Sequence, residues 1–219
     1  PFRGEKNTNW EGGWRVPAMV RWPGKIKAGT VSNEIMHHMD WMPTFLAAAG
    51  EPDIKQKLLK RYRAGGKKFK VHLDGYNFLP RFRGEADKGP RDQIFYFGQG
   101  GELNAVRWND WKIHFAVLEG NIFDAVRLEP GWPKIIHMRA DPYEHAWEHS
   151  PMYLRWMGDN MWLFVPVQDE IQQFLASMEG YPFQEGMSLN ASGINYRSLK
   201  ALKILEQITS KGLIERPSN

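Results

Sequence analysis

Hydrophobic and polar positions alternate most clearly in the middle of the chain. Ile94–Phe97, Ala105–Trp108, Trp111–Val117 and Lys134–Met138 each read as strands, and Asn109-Asp110 between two of them predicts a tight hairpin. Together they predict a small antiparallel sheet. Further on, Ile171, Phe174, Leu175 and Met178 follow helical spacing, and Gly180 ends that helix. Leu199, Leu202, Leu205 and Ile208 predict a terminal amphipathic helix. The first fifteen residues are rich in Gly, Asn and charge and read as a loop. Val16 to Trp22 reads as a buried strand closed by a Pro23-Gly24 turn, and Asn33 to His38 as another short extended piece. Asp40 has the position of a helix N-cap, with Pro43 in the first turn, where a missing N–H is tolerated, and Gly50 as the residue past the end. No internal repeat or low-complexity segment interrupts this order.

The order is an α/β remnant, a basic stretch, an antiparallel sheet and then helices. That predicts an α+β region attached to a larger α/β domain, with a boundary between residues 1–92 and 93–219. The chain of 219 residues is long enough for one large domain, or for a small domain plus pieces of another. A hydrophobic share of 42% with 25% charged residues excludes disorder as the overall state. The net charge of +4 is a mild bias toward anions and falls short of a nucleic-acid signature. With no Cys, disulfides and thiolate-ligated zinc are excluded. No apolar run approaches twenty residues, so no membrane span is expected. Lys55 to Lys70 holds eight basic residues and no acid. It reads as a solvated helix and loop, or as a basic rim drawing in an anionic substrate. A nucleic-acid module is the weakest use for it, because interleaved aromatics are missing.

The first candidate for chemistry is Lys6, in a Gly-containing loop just ahead of an expected strand. There its ammonium would reach the sheet edge, where open α/β sheets bind ligands. Composition alone reads Lys6 as a surface lysine, and Gly12-Gly13 as residues that permit close backbone approach. Among the seven His, the His145/His149 pair is a weak zinc signal without a third ligand, and no metal site is expected from this chain. Tyr153, Trp156 and Trp162 read as core, with an aryl-binding wall as the alternative.

The stretch Arg3-Gly4-Glu5-Lys6-Asn7-Thr8-Asn9-Trp10-Glu11-Gly12-Gly13-Trp14-Arg15-Val16-Pro17 resembles the second signature of the sulfatase family. Asp40-Trp41-Met42-Pro43-Thr44 resembles that family's Asp-x-x-Pro-Thr helix start. Ile136 through Asp141-Pro142-Tyr143-Glu144 resembles its C-terminal strand followed by Asp-Pro-x-Glu. The resemblance implies the C-terminal part of an alkaline-phosphatase-like sulfatase fold, of the arylsulfatase type. It implies that Lys6 contacts the sulfate and is both catalytic and substrate-binding. It implies that Thr8, Trp10, Glu11, Gly12, Gly13, Arg15, Asp40, Pro43, Asp141 and Pro142 are structural.

In that family the nucleophile is a formylglycine made from a Cys/Ser-x-Pro-x-Arg motif, and calcium is held by Asp and Asn residues. Neither the motif nor a cluster able to give a hard cation about six or more oxygens is visible in this sequence. The resemblance therefore implies a missing N-terminal catalytic half, calcium held outside this chain, and no activity from this chain alone. The alternative is a non-catalytic sulfatase-like protein with an anion-binding or structural role. A periplasmic or extracellular location is what the resemblance favours.

Overall fold

The computed structural model describes residues 1–98 and 101–181. The predicted terminal helix at 199–208 lies outside the described residues. The central element is a four-stranded antiparallel sheet of β3 (Gln93–Phe97), β4 (Leu103–Trp108), β5 (Trp111–His114) and β8 (Lys134–His137), in that spatial order. It follows β1 (Tyr62–Ala64) and β2 (Lys67–Phe69), which form a separate hairpin. A third small sheet pairs β6 (Val117–Glu119) with β7 (Val126–Leu128).

Register explains why this sheet has two different faces. Phe95, Val106, Ile113 and Ile135 lie opposite one another across all four strands. Side chains alternate along a strand, so this row shares one face. It packs against Leu163 and Val167, from the turn Met161–Leu163 and the helix Phe164–Ser177. The next row is Ile94, Arg107, Lys112 and Ile136, and the one after it Tyr96, Ala105, His114 and Lys134. These two rows share the other face, which carries charge and is nonetheless covered. The N-terminal loop lies on it, with Trp10 packed against Val117, Ile136 and Met138.

The predicted hairpin forms at Asn109-Asp110, where Asn109 takes a left-handed φ of 53°. The predicted strand Trp111–Val117 is instead split after His114. The N–H groups of Phe115 and Ala116 both donate to the Asn104 carbonyl, at 2.8 and 3.0 Å. Two residues facing one carbonyl form a bulge, and the chain leaves the sheet there to start β6. The late helix begins at Phe164, well before Ile171, and Leu175 is exposed rather than packed.

Two expectations for the first third fail. Val16 to Trp22 forms no strand and pairs with none among the described residues, and Val16 and Met19 are 57% and 99% exposed. A strand without a laddered neighbour has no hydrogen bonds to hold it as sheet. Asn33 to His37 forms no ladder among the described residues, and His37 is extended, as expected, where it leads into the short turn His38–Asp40. Within the basic stretch, Ile54–Leu59 is helical, but the expected loop is the β1–β2 hairpin.

Asp40 stands just before the helix Trp41–Ala48, yet its carboxylate does not cap that helix. It accepts from the His37 and Tyr76 N–H groups at 2.7 and 2.8 Å and from Arg91 Nε and Nη2 at 2.8 and 2.7 Å. Asp40 and Arg91 are both buried, so the pair ties this helix start to the segment entering β3. Pro43 sits buried in the first turn. Thr44 Oγ1 donates to the Asp40 carbonyl and accepts from the Phe78 N–H. The helix ends as the glycine predicts. Gly50 has φ 98°, its N–H donates to Ala47, and the Glu51 N–H donates to Leu46. These are the two bonds of a Schellman ending.

Candidate functional site

Lys6 occupies the tip of a turn closed by the Thr8 N–H and Thr8 Oγ1, which both donate to the Glu5 carbonyl at 3.0 and 2.7 Å. Asn7 supplies the left-handed residue, with φ 78°. Lys6 is exposed, and among the described residues no carboxylate pairs with its ammonium. The stem of the turn is bound on itself. Gly12 N–H donates to the Arg3 carbonyl at 2.7 Å, and Trp14 Nε1 to the Thr8 carbonyl at 2.9 Å. A Cβ on Gly12 would stand 2.2 Å from the Gly4 carbonyl oxygen, so only glycine lets the two arms meet.

Three side chains pin this loop to the four-stranded sheet, to β6 and to the short helix Ala146–His149. Asn9 is the first: its Oδ1 accepts from the Leu118 N–H at 2.9 Å and its Nδ2 donates to the Ala116 carbonyl at 2.6 Å. Glu11 is the second, 3% exposed, with its carboxylate meeting Lys112 Nζ at 3.0 Å, Tyr96 Oη at 2.9 Å and Arg107 at 3.5 Å. Arg3 is the third. It forks onto both oxygens of Glu148 at 3.0 and 2.8 Å, reaches Glu119 at 2.9 Å, and lies 3.9 Å from the Trp10 ring centre. Charge-assisted and bidentate bonds of this kind are the strong ones.

Beneath the loop is a buried charge cluster. Lys112, at 0% exposure, bridges Glu11 and Glu144, the latter at 2.8 Å. Glu144 also accepts from the Glu11 N–H at 2.7 Å, so one carboxylate holds the loop backbone and the sheet lysine together. Burial pushes the Glu144 carboxyl up, but His114 and Lys112 outweigh it and bring it to about 2. Glu11 is also held below its ordinary range, burial being outweighed chiefly by Lys112. Burial, reinforced by Glu11, raises the Tyr96 hydroxyl well above its ordinary value, which keeps it a donor.

The tautomer of His114 follows from Asn9. The two backbone bonds fix which end of the Asn9 amide is Nδ2, and Nδ2 lies 3.1 Å from His114 Nδ1. Nδ1 is therefore the acceptor, and Nε2–H donates to Glu144 Oε1 at 3.3 Å. Burial lowers the His114 pKa to about 4, against the pull of Glu144. The unfolded imidazole binds its proton near 6.5, where the folded one does not. The contribution is intact above pH 6.5 and is lost as pH falls toward 4, by up to about 3 kcal/mol from this group. Urea unfolding between pH 7 and 4.5 should show the loss, and His114→Gln should flatten it. An equal slope in both proteins would mean that His114 is not the group responsible.

The other sequence-chosen residues fall in different places. Arg15 is exposed, 4.5 Å over the Phe2 ring. Asp141 caps the short helix Ala146–His149, accepting from the His145 and Ala146 N–H groups at 3.0 and 2.7 Å, with Pro142 next to it. Asp40 and Pro43 belong to the separate Arg91 tie. Thr8, Trp10, Glu11, Gly12 and Gly13 all lie in the Lys6 loop. Tyr153 is buried core, its hydroxyl exchanging bonds with Ile135, and Trp156 stacks on Trp111, so both belong to the helix face. Trp162 is 55% exposed.

His145, Glu148 and His149 bring one ligand atom each within 4.8 Å of one another. A metal there would have to win Glu148 from Arg3. Two imidazoles and one carboxylate also do not suit calcium, which takes six to eight oxygens.

Sequence reasoning missed Lys112, His114, Tyr96, Arg107, Asn9 and Arg91. The one available signal was a lysine and a histidine alternating with Trp111 and Ile113 on a strand, and that pattern normally means a solvent-facing row.

The sulfatase family model matches residues 1–51. Steryl-sulfatase of Homo sapiens is 32% identical over 120 residues, covering 52% of this chain and 18% of that protein. N-acetylgalactosamine-6-sulfatase of Sus scrofa is 35% identical over 117 residues, covering 52% and 19%. Arylsulfatase A of Homo sapiens is 33% identical over 114 residues, covering 50% and 19%. The chain thus spans less than a fifth of these relatives. The crystal structure of PsFucS1 sulfatase from Pseudoalteromonas sp. superposes with a TM-score of 0.60 at 27% identity, over 84% of this chain and 34% of that one. The architecture is mixed α/β with small antiparallel sheets, within the alkaline-phosphatase-like fold of sulfatases.

Proposed function

We propose that this chain, a member of the sulfatase family, is the C-terminal portion of an arylsulfatase-type sulfuric-ester hydrolase and contributes Lys6 to its active site. The observation that carries the reading is the loop itself. Asn9, Glu11 and Arg3 anchor the loop to the rest of the fold, and Lys6 stands exposed at its tip with no carboxylate pairing with it among the described residues. Cleavage of a sulfate ester breaks the S–O bond to the alcohol and gathers negative charge on the sulfonyl and departing oxygens. A positioned ammonium stabilises that charge. The rest of the chain serves to hold it still.

In this reading the formylglycine nucleophile and the calcium ligands belong to a part of the protein outside this chain. The exposure of Val16, Met19, Val20 and Val31 supports a further part of the protein covering that stretch. The compartment we infer is periplasmic or extracellular. No helix among the described residues is long and apolar enough to cross a membrane.

The test is an assay of two proteins against a chromogenic aryl sulfate with calcium present. The 219-residue chain alone should turn over no faster than buffer. The protein extended upstream to include a Cys/Ser-x-Pro-x-Arg motif should be active. Turnover by the short chain would sink the division of labour. An inactive extended protein with inorganic sulfate still bound would favour the non-catalytic, anion-binding alternative.

A further inference from the structure

We propose that Lys112 is a positioning residue for Lys6, acting through the Glu11–Lys112–Glu144 bridge. The proposal rests on the reading of Lys6 given above. Lys112 is fully buried beneath the loop, out of reach of a substrate at the loop's surface. Its ammonium is shared by two carboxylates at 3.0 and 2.8 Å, one from the loop and one from the segment after β8. The second carboxylate also takes the Glu11 N–H. The first turn after the Lys6 tip is therefore gripped by side chain and backbone at once.

From Glu11 the grip passes back to the tip through short links. Gly12 is bonded to Arg3, Gly13 to Trp10, and Trp14 to Thr8, whose N–H and hydroxyl close the turn around Lys6. Releasing Glu11 frees the loop to shift without breaking the sheet, whose ladder is formed by backbone bonds and by the apolar row on the opposite face. A displacement of about 1 Å at a charge-stabilising group costs up to roughly a hundredfold in rate.

A buried lysine could also be a plain brace, whose loss merely lowers the folded fraction. A double-mutant cycle separates the two roles. Lys6→Ala, Lys112→Met and the double variant are made in the upstream-extended protein. Initial rates on a chromogenic aryl sulfate are measured well below each variant's Tm and scaled to folded protein. Lys112→Met should lower kcat by about tenfold or more, with KM changed far less, as for an interaction made in the transition state. The double variant should be no slower than Lys6→Ala alone, because a lysine that is absent cannot be mispositioned.

Losses that multiply would overturn the proposal and leave Lys112 a brace. Wild-type kcat in Lys6→Ala would instead overturn the functional reading, and this proposal with it. Where Lys112→Met does not fold, Glu11→Gln replaces it in the cycle, since an amide still accepts from Lys112 but lacks the loop's charge. In the 219-residue chain, amide exchange over residues 5–13 should rise at least about tenfold in either variant while the β1–β2 hairpin is unchanged. Unchanged exchange in the loop would also overturn it.

Discussion

Replacing Lys112 by methionine is expected to destabilise the chain by about 3–5 kcal/mol, because it leaves buried carboxylates without their cation. The formal charges around the loop balance: Glu11 and Glu144 are negative, Lys112 and Arg107 positive, and His114 is neutral. Methionine keeps most of the stem volume of lysine and removes only the ammonium. Glu11 then keeps one partly buried guanidinium, Arg107 at 3.5 Å, and Glu144 keeps no cation. Their carboxyls must take protons or draw in water, and either outcome costs the interaction that now holds both below their ordinary range. The companion Lys112→Met/Glu144→Gln removes one negative charge as well, and should recover part of the loss. Salt should change the result little, since the cluster is buried and poorly screened. Urea unfolding of the three proteins at pH 7 is the measurement. A loss below about 1 kcal/mol for Lys112→Met would place its ammonium in the class of exposed ion pairs and contradict its burial.

The same cluster shows where sequence reading stops. The apolar row Phe95, Val106, Ile113 and Ile135 is legible because a sheet face against a helix demands every second residue apolar. The Asn109-Asp110 hairpin is legible because two short polar residues between alternating strands have few other uses. The Gly50 ending and the Gly12 contact are legible because glycine is cheap only where backbone needs it. Lys112 and His114 alternate with the apolar row just as solvent-facing residues do. What buries them is a loop a hundred residues earlier, whose Glu11 and Asn9 are complementary to them. No local pattern records that complementarity.

Val16 to Trp22 fails for the opposite reason. Its run of apolar residues has the composition of a strand, but strand is a property of a pair, and no partner is present among the described residues. Asp40 is a subtler case. Its position before a helix start is right, yet a buried arginine competes for the carboxylate and wins, since a bidentate guanidinium offers charge as well as two donors. The motif Asp-x-x-Pro-Thr marks a helix start in sequence and a tie to Arg91 in space. Glu144 stood at the end of a motif whose Asp141 looked like the key residue. Asp141 caps a four-residue helix, while Glu144 carries the buried contacts.

Lys6→Ala in the upstream-extended protein is expected to lower kcat by about 10²-fold or more, the scale seen when one preorganised charge-stabilising contact is removed. The size follows from the loop's rigidity. A lysine on a free loop would pay to order its stem in the transition state, and alanine would cost little. Here the turn is closed by Thr8, and its stem is fixed by Arg3, Asn9 and Glu11, so the backbone that carries Lys6 is held in place before the ester binds, and only the side chain remains to be ordered. Stability should change by no more than about 1 kcal/mol, because an exposed lysine with no partner among the described residues braces nothing. Lys6→Arg should restore little of the rate, since a planar fork does not replace a compact ammonium against tetrahedral oxygens at one fixed distance. Lys60→Ala is the control. It removes an exposed lysine of the same net charge from the end of the helix Ile54–Leu59, and should leave kcat unchanged. Rates for all four proteins at saturating aryl sulfate, beside their thermal unfolding curves, decide the matter. Equal losses in Lys6→Ala and Lys60→Ala would reduce Lys6 to one surface charge among many, and the functional reading of this loop would fall.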